Sequence, residues 1–113
     1  MCSLIKEMSF IEFMDDHYGD EDVLLLDVRD EALYVRGTIP GAVNLPMSKL
    51  RELFTLPKEK RVFVFCQSDE FSREVTELLT DEGYDATDLT GGYRQFLRDL
   101  AGGEFELPPR AAQ

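Results

Sequence analysis

Residues 61–83 read RVFVFCQSDEFSREVTELLTDEG, and their pattern predicts a strand, a loop and a helix in that order. The run from Arg61 to Cys66 is rich in β-forming residues, so the strand is expected to end at the cysteine. After a polar loop, apolar residues recur at helical spacing, and Gly83 follows as a helix stop. The recurring residues are Phe71, Val75, Leu78 and Leu79.

Other segments repeat this alternation of strands and helices. Residues 23–28 form a continuous apolar run of the kind that is buried on both faces of a parallel sheet, and shorter strands are expected at 42–44 and 85–89. The pattern predicts an α/β fold with a doubly wound sheet, whose ligands bind outside the carboxyl ends of the strands. Cys66 lies at such an end.

The sequence also predicts three helices besides the one after Cys66. Ser9 and Glu12 have the spacing of a capping box, a brief helix is expected near residues 48–54, and Gly91-Gly92 opens a helix with one apolar face. The first helix is expected to end at about His17. We expect one folding unit over residues 1–101, followed by a frayed tail at 102–113 with Pro108 and Pro109.

Composition restricts the possible functions. The chain has 113 residues, of which 43% are hydrophobic, and it has no apolar stretch long enough to cross a bilayer and no signal-peptide pattern. Two cysteines are too few for a disulfide framework, so a cytoplasmic protein is expected. A formal net charge of −11 disfavours nucleic-acid binding, because that binding depends on basic side chains. The expected partners include neither nucleic acid nor membrane.

Cys66 is the candidate nucleophile. Free cysteine is often only a buried apolar filler, but Cys66 stands between a strand and a helix, where open α/β sheets build their sites. A thiol reacts as the thiolate, which a helix N-terminus and backbone N–H groups stabilise. This position suits a thiolate or a persulfide.

Four motifs in order resemble the rhodanese-like, or sulfurtransferase, family over nearly the whole chain. They are Leu26-Asp27-Val28-Arg29, the segment GTIPGAVNLP at residues 37–46, the loop that begins at Cys66, and the segment LTGGYRQF at residues 89–96. The resemblance implies a rhodanese-like five-stranded parallel sheet, flanked by helices on both faces. It also implies a catalytic cysteine held by the six-residue loop that follows it.

The resemblance makes Cys66 the catalytic residue and its loop the substrate-binding segment. The loop residues are Gln67, Ser68, Asp69, Glu70, Phe71, Ser72 and Arg73. Members of the family take sulfur from a donor such as thiosulfate and pass it from the cysteine persulfide to a thiol or to cyanide. The implied partners are a small sulfane-sulfur donor and a thiol acceptor or sulfur-relay protein. No metal and no cofactor are implied.

The loop departs from the common family pattern C-x-x-G-x-R-S. Asp69 replaces the Gly and Phe71 replaces the Arg, whereas Ser72 matches; outside the loop, Thr38 replaces a frequent His. Two like charges about 4 Å apart repel by roughly 4 kcal/mol at an effective dielectric constant of 20, so Asp69 and Glu70 are expected to disfavour a dianionic donor. We therefore expect a persulfide to be a better donor than thiosulfate. Arg29, Arg36 or Arg73 could supply compensating charge.

Several other residues have less specific interpretations. Asp27 and Arg29 follow a buried strand, where they support the site through pairing with each other or with the backbone. His17 lies in an acidic stretch and is not expected to act as a base, and the acidic residues at 15–22 lack the spacing of a calcium loop. Cys2 could act as a resolving thiol, but nothing in the sequence supports that role.

Two alternative functions remain at this point. The altered loop is compatible with a catalytically silent rhodanese-like module that binds or regulates a protein. Some relatives are phosphatases or arsenate reductases that use a C-x5-R loop, but that spacing falls on Ser72 here, and Arg73 is one position too far along the chain.

Overall fold

A computed structural model describes residues 5–107, and its centre is a sheet of five parallel strands. The spatial order of the strands is β1-β5-β4-β2-β3. Their bounds are β1 Lys6–Met8, β2 Val23–Asp27, β3 Val43–Asn44, β4 Arg61–Phe65 and β5 Asp85–Leu89. Every strand pair is parallel, which confirms the predicted sheet.

Four α-helices and a 3₁₀ segment connect the strands. They are α1 Phe10–Asp16, α2 Glu31–Arg36, the 3₁₀ segment Met47–Thr55, α3 Glu70–Asp81 and α4 Gly92–Ala101. The predicted capping box is half formed: the Ser9 hydroxyl accepts a hydrogen bond from the Glu12 N–H at 3.1 Å.

Two elements were not predicted. β1 has three residues, two of them exposed, so it lacks the apolar alternation that marks a strand; it is held by its pairing with β5. α2 has six residues, none of them fully buried, and is too short for a helical period to show.

The core lies on both faces of the sheet, because successive side chains of β4 point to opposite sides. Val62 and Val64 pack in the same apolar cluster as Val75 and Leu79 of α3. Phe63 and Phe65 pack in a second cluster, on the other side. Helices α1 and α4 contribute Phe10, Phe13 and Phe96 to that second cluster. The predicted flanking of the sheet on both faces is therefore confirmed.

The predicted frayed tail is wrong at Phe105. Its side chain is 8% exposed, and its ring lies 5.4 Å from the ring of Phe96, measured between centroids. Phe105 comes two positions after Gly102-Gly103, in the segment predicted to be a tail, but burial of its ring against α4 fixes it in the second cluster. Pro108, Pro109 and Cys2 lie outside the described residues, so the expectations placed on them stay untested.

No helix within residues 5–107 has the length and apolar character that a membrane-spanning helix needs.

Candidate active site

Cys66 follows directly after β4, and its sulfur lies inside the loop that leads to α3. The Sγ atom accepts hydrogen bonds from the backbone N–H groups of Asp69 at 3.1 Å and Ser72 at 3.3 Å. The thiol also contacts the Ser72 hydroxyl oxygen at 3.4 Å. Cys66 is 6% exposed. Two N–H dipoles that point at the sulfur stabilise negative charge on it, which is the arrangement expected from a loop that runs into a helix N-terminus.

The loop conformation depends on an unusual backbone geometry at Asp69. Its φ is +137°, and it is the one non-glycine residue with positive φ in the described part of the chain. Side chains with a Cβ rarely adopt this region, and the cost is about 1–3 kcal/mol. Asp69 occupies the position of the common family Gly, so the loop keeps a glycine-type backbone without the glycine.

Helix α4 holds the loop from the other side. The Tyr93 N–H donates to the Cys66 carbonyl at 2.7 Å, and the Arg94 N–H donates to the Gln67 carbonyl at 3.4 Å. Gly92 lies so close to the loop that a Cβ on it would be 2.5 Å from the Gln67 carbonyl oxygen. The sequence indicated that Gly91-Gly92 opens a helix, but it did not identify the cysteine loop as the contact of Gly92.

Asp27 and Arg29 form a buried ion pair beside the loop. The Arg29 Nη2 lies 2.9 Å from the Asp27 Oδ2, and the two side chains are 3% and 0% exposed. The same guanidinium donates to the Gly37 carbonyl at 2.6 Å and to the Gln67 Oε1 at 3.3 Å, and it lies 4.1 Å above the Tyr93 ring. Its charge is therefore engaged with Asp27, and its contacts connect β2, the loop and α4.

An open cavity of about 310 Å³ leads to Cys66. Four of the predicted substrate-binding residues line it: Gln67, Ser68, Glu70 and Phe71. The remaining lining residues besides Cys66 are Val28, Arg29, Asp30, Leu33 and Met47. The wall is thus largely apolar, with two carboxylates and one cation that is already paired.

Asp69, Ser72 and Arg73 are not among the residues that line this cavity, and their expected contact with substrate stays a prediction. Ser72 is fully buried and bonds the sulfur itself and the Asp69 carbonyl. Arg73 forms an ion pair with Glu7 of β1, because the helix turns its side chain toward the sheet edge. The Asp69 side chain approaches Asp88. Of the two acidic loop residues, only Glu70 faces the cavity.

Three carboxylates form a cluster on the side of the loop away from the cavity. Oxygen atoms of Glu7, Asp69 and Asp88 lie within 4.8 Å of one another. Burial, and next the neighbouring Asp69 carboxyl group, raise the pKa of Asp88 from 3.8 to about 7, against the opposing effects of Ser72 and Arg73. The sequence did not single out Asp88, since one Asp within a short strand carries no motif. The expectation of no metal or cofactor stays a prediction.

The acidic stretch near His17 has a structural role. Arg61 Nε lies 3.0 Å from the Asp22 Oδ2, and its Nη1 lies 3.1 Å from the His17 Nδ1. The hydrogen bond with Arg61 lowers the pKa of Asp22. The His17 ring stacks on Phe63 at 5.3 Å between centroids. The described part of this stretch therefore joins α1 to the start of β4, away from Cys66.

Comparison with known proteins agrees with the fold. The family model of the rhodanese-like domain matches residues 11–99. The thiosulfate sulfurtransferase GlpE of Coxiella burnetii (strain RSA 331 / Henzerling II) is 35% identical over 92 residues, which are 80% of this chain and 85% of that protein. A sulfurtransferase of Allochromatium vinosum is 36% identical over 80 residues, covering 69% of this chain and 75% of that protein.

A solved structure supports the same assignment. The human single-domain sulfurtransferase TSTD1 has a TM-score of 0.72 at 25% identity, with 83% of this chain and 96% of that chain covered. The chain belongs to the rhodanese-like domain family, as the four motifs predicted. At family level its relatives are sulfurtransferases.

Proposed function

We propose that the protein is a sulfurtransferase that carries sulfur as a persulfide on Cys66. The observation that carries this proposal is the position of the Cys66 sulfur, which accepts two backbone N–H bonds and faces an open cavity. In a member of a sulfurtransferase family, this arrangement suits a sulfur that is alternately a thiolate and a persulfide.

The reaction has two displacements. The Cys66 thiolate attacks the outer sulfur of the donor, so that an Sγ–S bond forms and the donor S–S bond breaks with its electron pair on the leaving group. The leaving group is a thiolate when the donor is a persulfide, and sulfite when it is thiosulfate. An acceptor thiolate or cyanide then attacks the outer sulfur and releases the Cys66 thiolate. Atoms and electrons balance without a cofactor.

The cavity favours a persulfide donor, either on a small thiol or on a relay protein, over thiosulfate. Glu70 and Asp30 line the wall, and the guanidinium of Arg29 is already engaged by Asp27. A dianion therefore meets negative charge with no free cation among the lining residues. The apolar residues Leu33, Met47 and Phe71 suit the carbon chain of a thiol instead.

Intact mass under non-reducing conditions tests the proposal. Wild type and Cys66→Ser are incubated with thiosulfate and, separately, with a small-molecule persulfide. We expect wild type to gain one sulfur atom from the persulfide, Cys66→Ser to gain none, and a thiol or cyanide to remove the gain. Faster loading from thiosulfate than from any persulfide would contradict the donor preference.

A catalytically silent binding module is the second candidate, and one observation favours it: Cys66 is only 6% exposed. If neither donor adds sulfur although Cys66 can be alkylated, the binding module replaces the transferase. A phosphatase is disfavoured, because Arg73 is paired with Glu7 and does not line the cavity.

A further inference from the structure

Asp88 is a buried acid with no hydrogen-bond donor. It is fully buried within β5, and neither carboxylate oxygen has a partner among the described residues. The Asp69 Oδ1 is likewise buried without a partner there. Carboxylate oxygens only accept hydrogen bonds when ionised, so two facing carboxylates cannot satisfy each other. One proton changes this, because a protonated carboxyl group becomes a donor.

The surroundings of Asp88 identify which groups could supply that donor. Glu7 is its register partner on β1, and Val64 is its partner on β4. On α3, Arg73 is bound to Glu7, and the Ser72 hydroxyl donates to the Asp69 carbonyl. The nearby cation and the nearby hydroxyl are therefore both engaged with other groups.

Asp69 connects this acid pair to the sulfur. Its side chain approaches Asp88 on one side of the loop, while its backbone N–H donates to Cys66 Sγ at 3.1 Å on the other. The residue keeps a φ of +137°, which requires a contact that holds it there.

We propose that Asp69 and Asp88 share one proton, and that the resulting hydrogen bond holds the Cys66 loop in the conformation that directs its N–H groups at the sulfur. Asp88 is then a positioning residue, since it acts through Asp69 and does not touch the sulfur. The raised pKa of Asp88, about 7, agrees with this arrangement. When the proton leaves, two carboxylates face each other beside Glu7, and their repulsion weakens the loop.

Carbon-13 NMR of aspartate carboxyl groups tests the shared proton directly, from about pH 4 to about pH 9. We expect Asp88 to titrate near neutral pH, and Asp69→Asn to lower its midpoint by about one unit or more, because the new amide donates to the charged form. Asp85→Asn is the matched control on the same strand and should leave the midpoint unchanged. An Asp88 midpoint near the ordinary aspartate value, or one that Asp69→Asn does not move, overturns the shared proton. A midpoint that shifts with added Ca²⁺ or Mg²⁺ overturns it as well, since a cation then holds the carboxylates.

The positioning role rests on the proposed function of Cys66, and it is tested by alkylation, which requires no sulfur donor. In Asp88→Asn the amide mimics the protonated acid at every pH. The ratio of the wild-type to the Asp88→Asn alkylation rate of Cys66 should fall about threefold or more as pH rises through the Asp88 midpoint, because repulsion between the two carboxylates weakens the loop whose N–H groups stabilise the thiolate. A constant ratio overturns the positioning role, whereas failure of sulfur loading with a falling ratio affects only the proposed function.

Discussion

At the scale of single residues, the cysteine loop combines a sulfur that accepts two backbone N–H bonds with a strained backbone. Asp69 stands at a φ of +137°, in the position where the family commonly has Gly. Variants with Ala or Gly at position 69 both lack the carboxylate. A comparison of the two therefore isolates the energetic cost of this φ for a residue that has a Cβ.

Asp69→Gly is therefore expected to be more stable than Asp69→Ala by about 1–2 kcal/mol, since only glycine adopts this φ at low cost. Urea unfolding of the two variants measures the difference in the free energy of unfolding. Equal stabilities would mean that the backbone at this position is not strained. The comparison avoids wild type, in which the Asp69 carboxylate also contributes through Asp88.

Phe71 lines the cavity beside Glu70. It stands where the family commonly has an Arg, so the cavity wall lacks the positive charge that this Arg would supply. Phe71→Arg together with Glu70→Gln should raise kcat/KM for thiosulfate about tenfold, a change that corresponds to roughly 1.4 kcal/mol of favourable charge interaction. Phe71→Leu with Glu70→Gln is the matched control for the added cation. If the double variant with Arg gains nothing over this control, charge in the cavity is not the barrier to thiosulfate.

At the scale of elements, the contact between α4 and the cysteine loop depends on Gly92. A Cβ there would lie 2.5 Å from the Gln67 carbonyl oxygen, and its φ is +70°. Gly103 has a φ of +78°, but nothing lies within 4 Å of the position of its Cβ. Both glycines thus have a positive φ, but only Gly92 has no room for a Cβ.

Gly92→Ala should lower the free energy of unfolding by about 1–3 kcal/mol more than Gly103→Ala, because the loop must move to admit the methyl group. It should also slow sulfur loading of Cys66, whereas Gly103→Ala should not. Thermal unfolding and the mass assay check both effects. Equal losses in the two variants would show that α4 does not hold the loop through this close contact.

At the scale of the whole molecule, Asp88 makes stability depend on pH. Its pKa is raised from 3.8 to about 7 in the folded protein, so the folded state binds this proton more tightly than the unfolded chain. The stabilisation is fully present below about pH 3.8, and it is lost as pH rises to about 7. Above that, the folded protein carries the full cost of a buried charge.

Asp88→Asn cannot ionise, so it should gain stability relative to wild type by about 1–3 kcal/mol between about pH 5 and about pH 8. Urea unfolding at the two pH values measures this difference, in which the titration of groups that do not interact with Asp88 cancels. Asp85→Asn serves as the control, because Asp85 is half exposed and paired with Lys6. A pH-independent difference would contradict the raised pKa.

The elements with a strong local signal were predicted from the sequence, together with the place of Cys66 between β4 and α3. Continuous apolar runs indicated β2 and β4, because a strand that is buried on both faces has apolar residues at successive positions. Helical spacing of apolar residues after Cys66 indicated α3, because that helix is buried on one face. The short elements β1 and α2 were missed. They have few buried residues, and β1 is held by pairing with β5, which is distant in sequence.

The sequence by itself determined the family, the parallel α/β sheet and the position of Cys66 between a strand and a helix. Only the tertiary structure decided the direction of the side chains around it. Glu70 faces the cavity, Asp69 approaches Asp88, and Arg73 binds Glu7. The reason is physical: neighbouring residues of a loop that curls around a sulfur point in different directions. Their partners come from strands β1 and β5, which the chain brings to the loop only when the sheet forms.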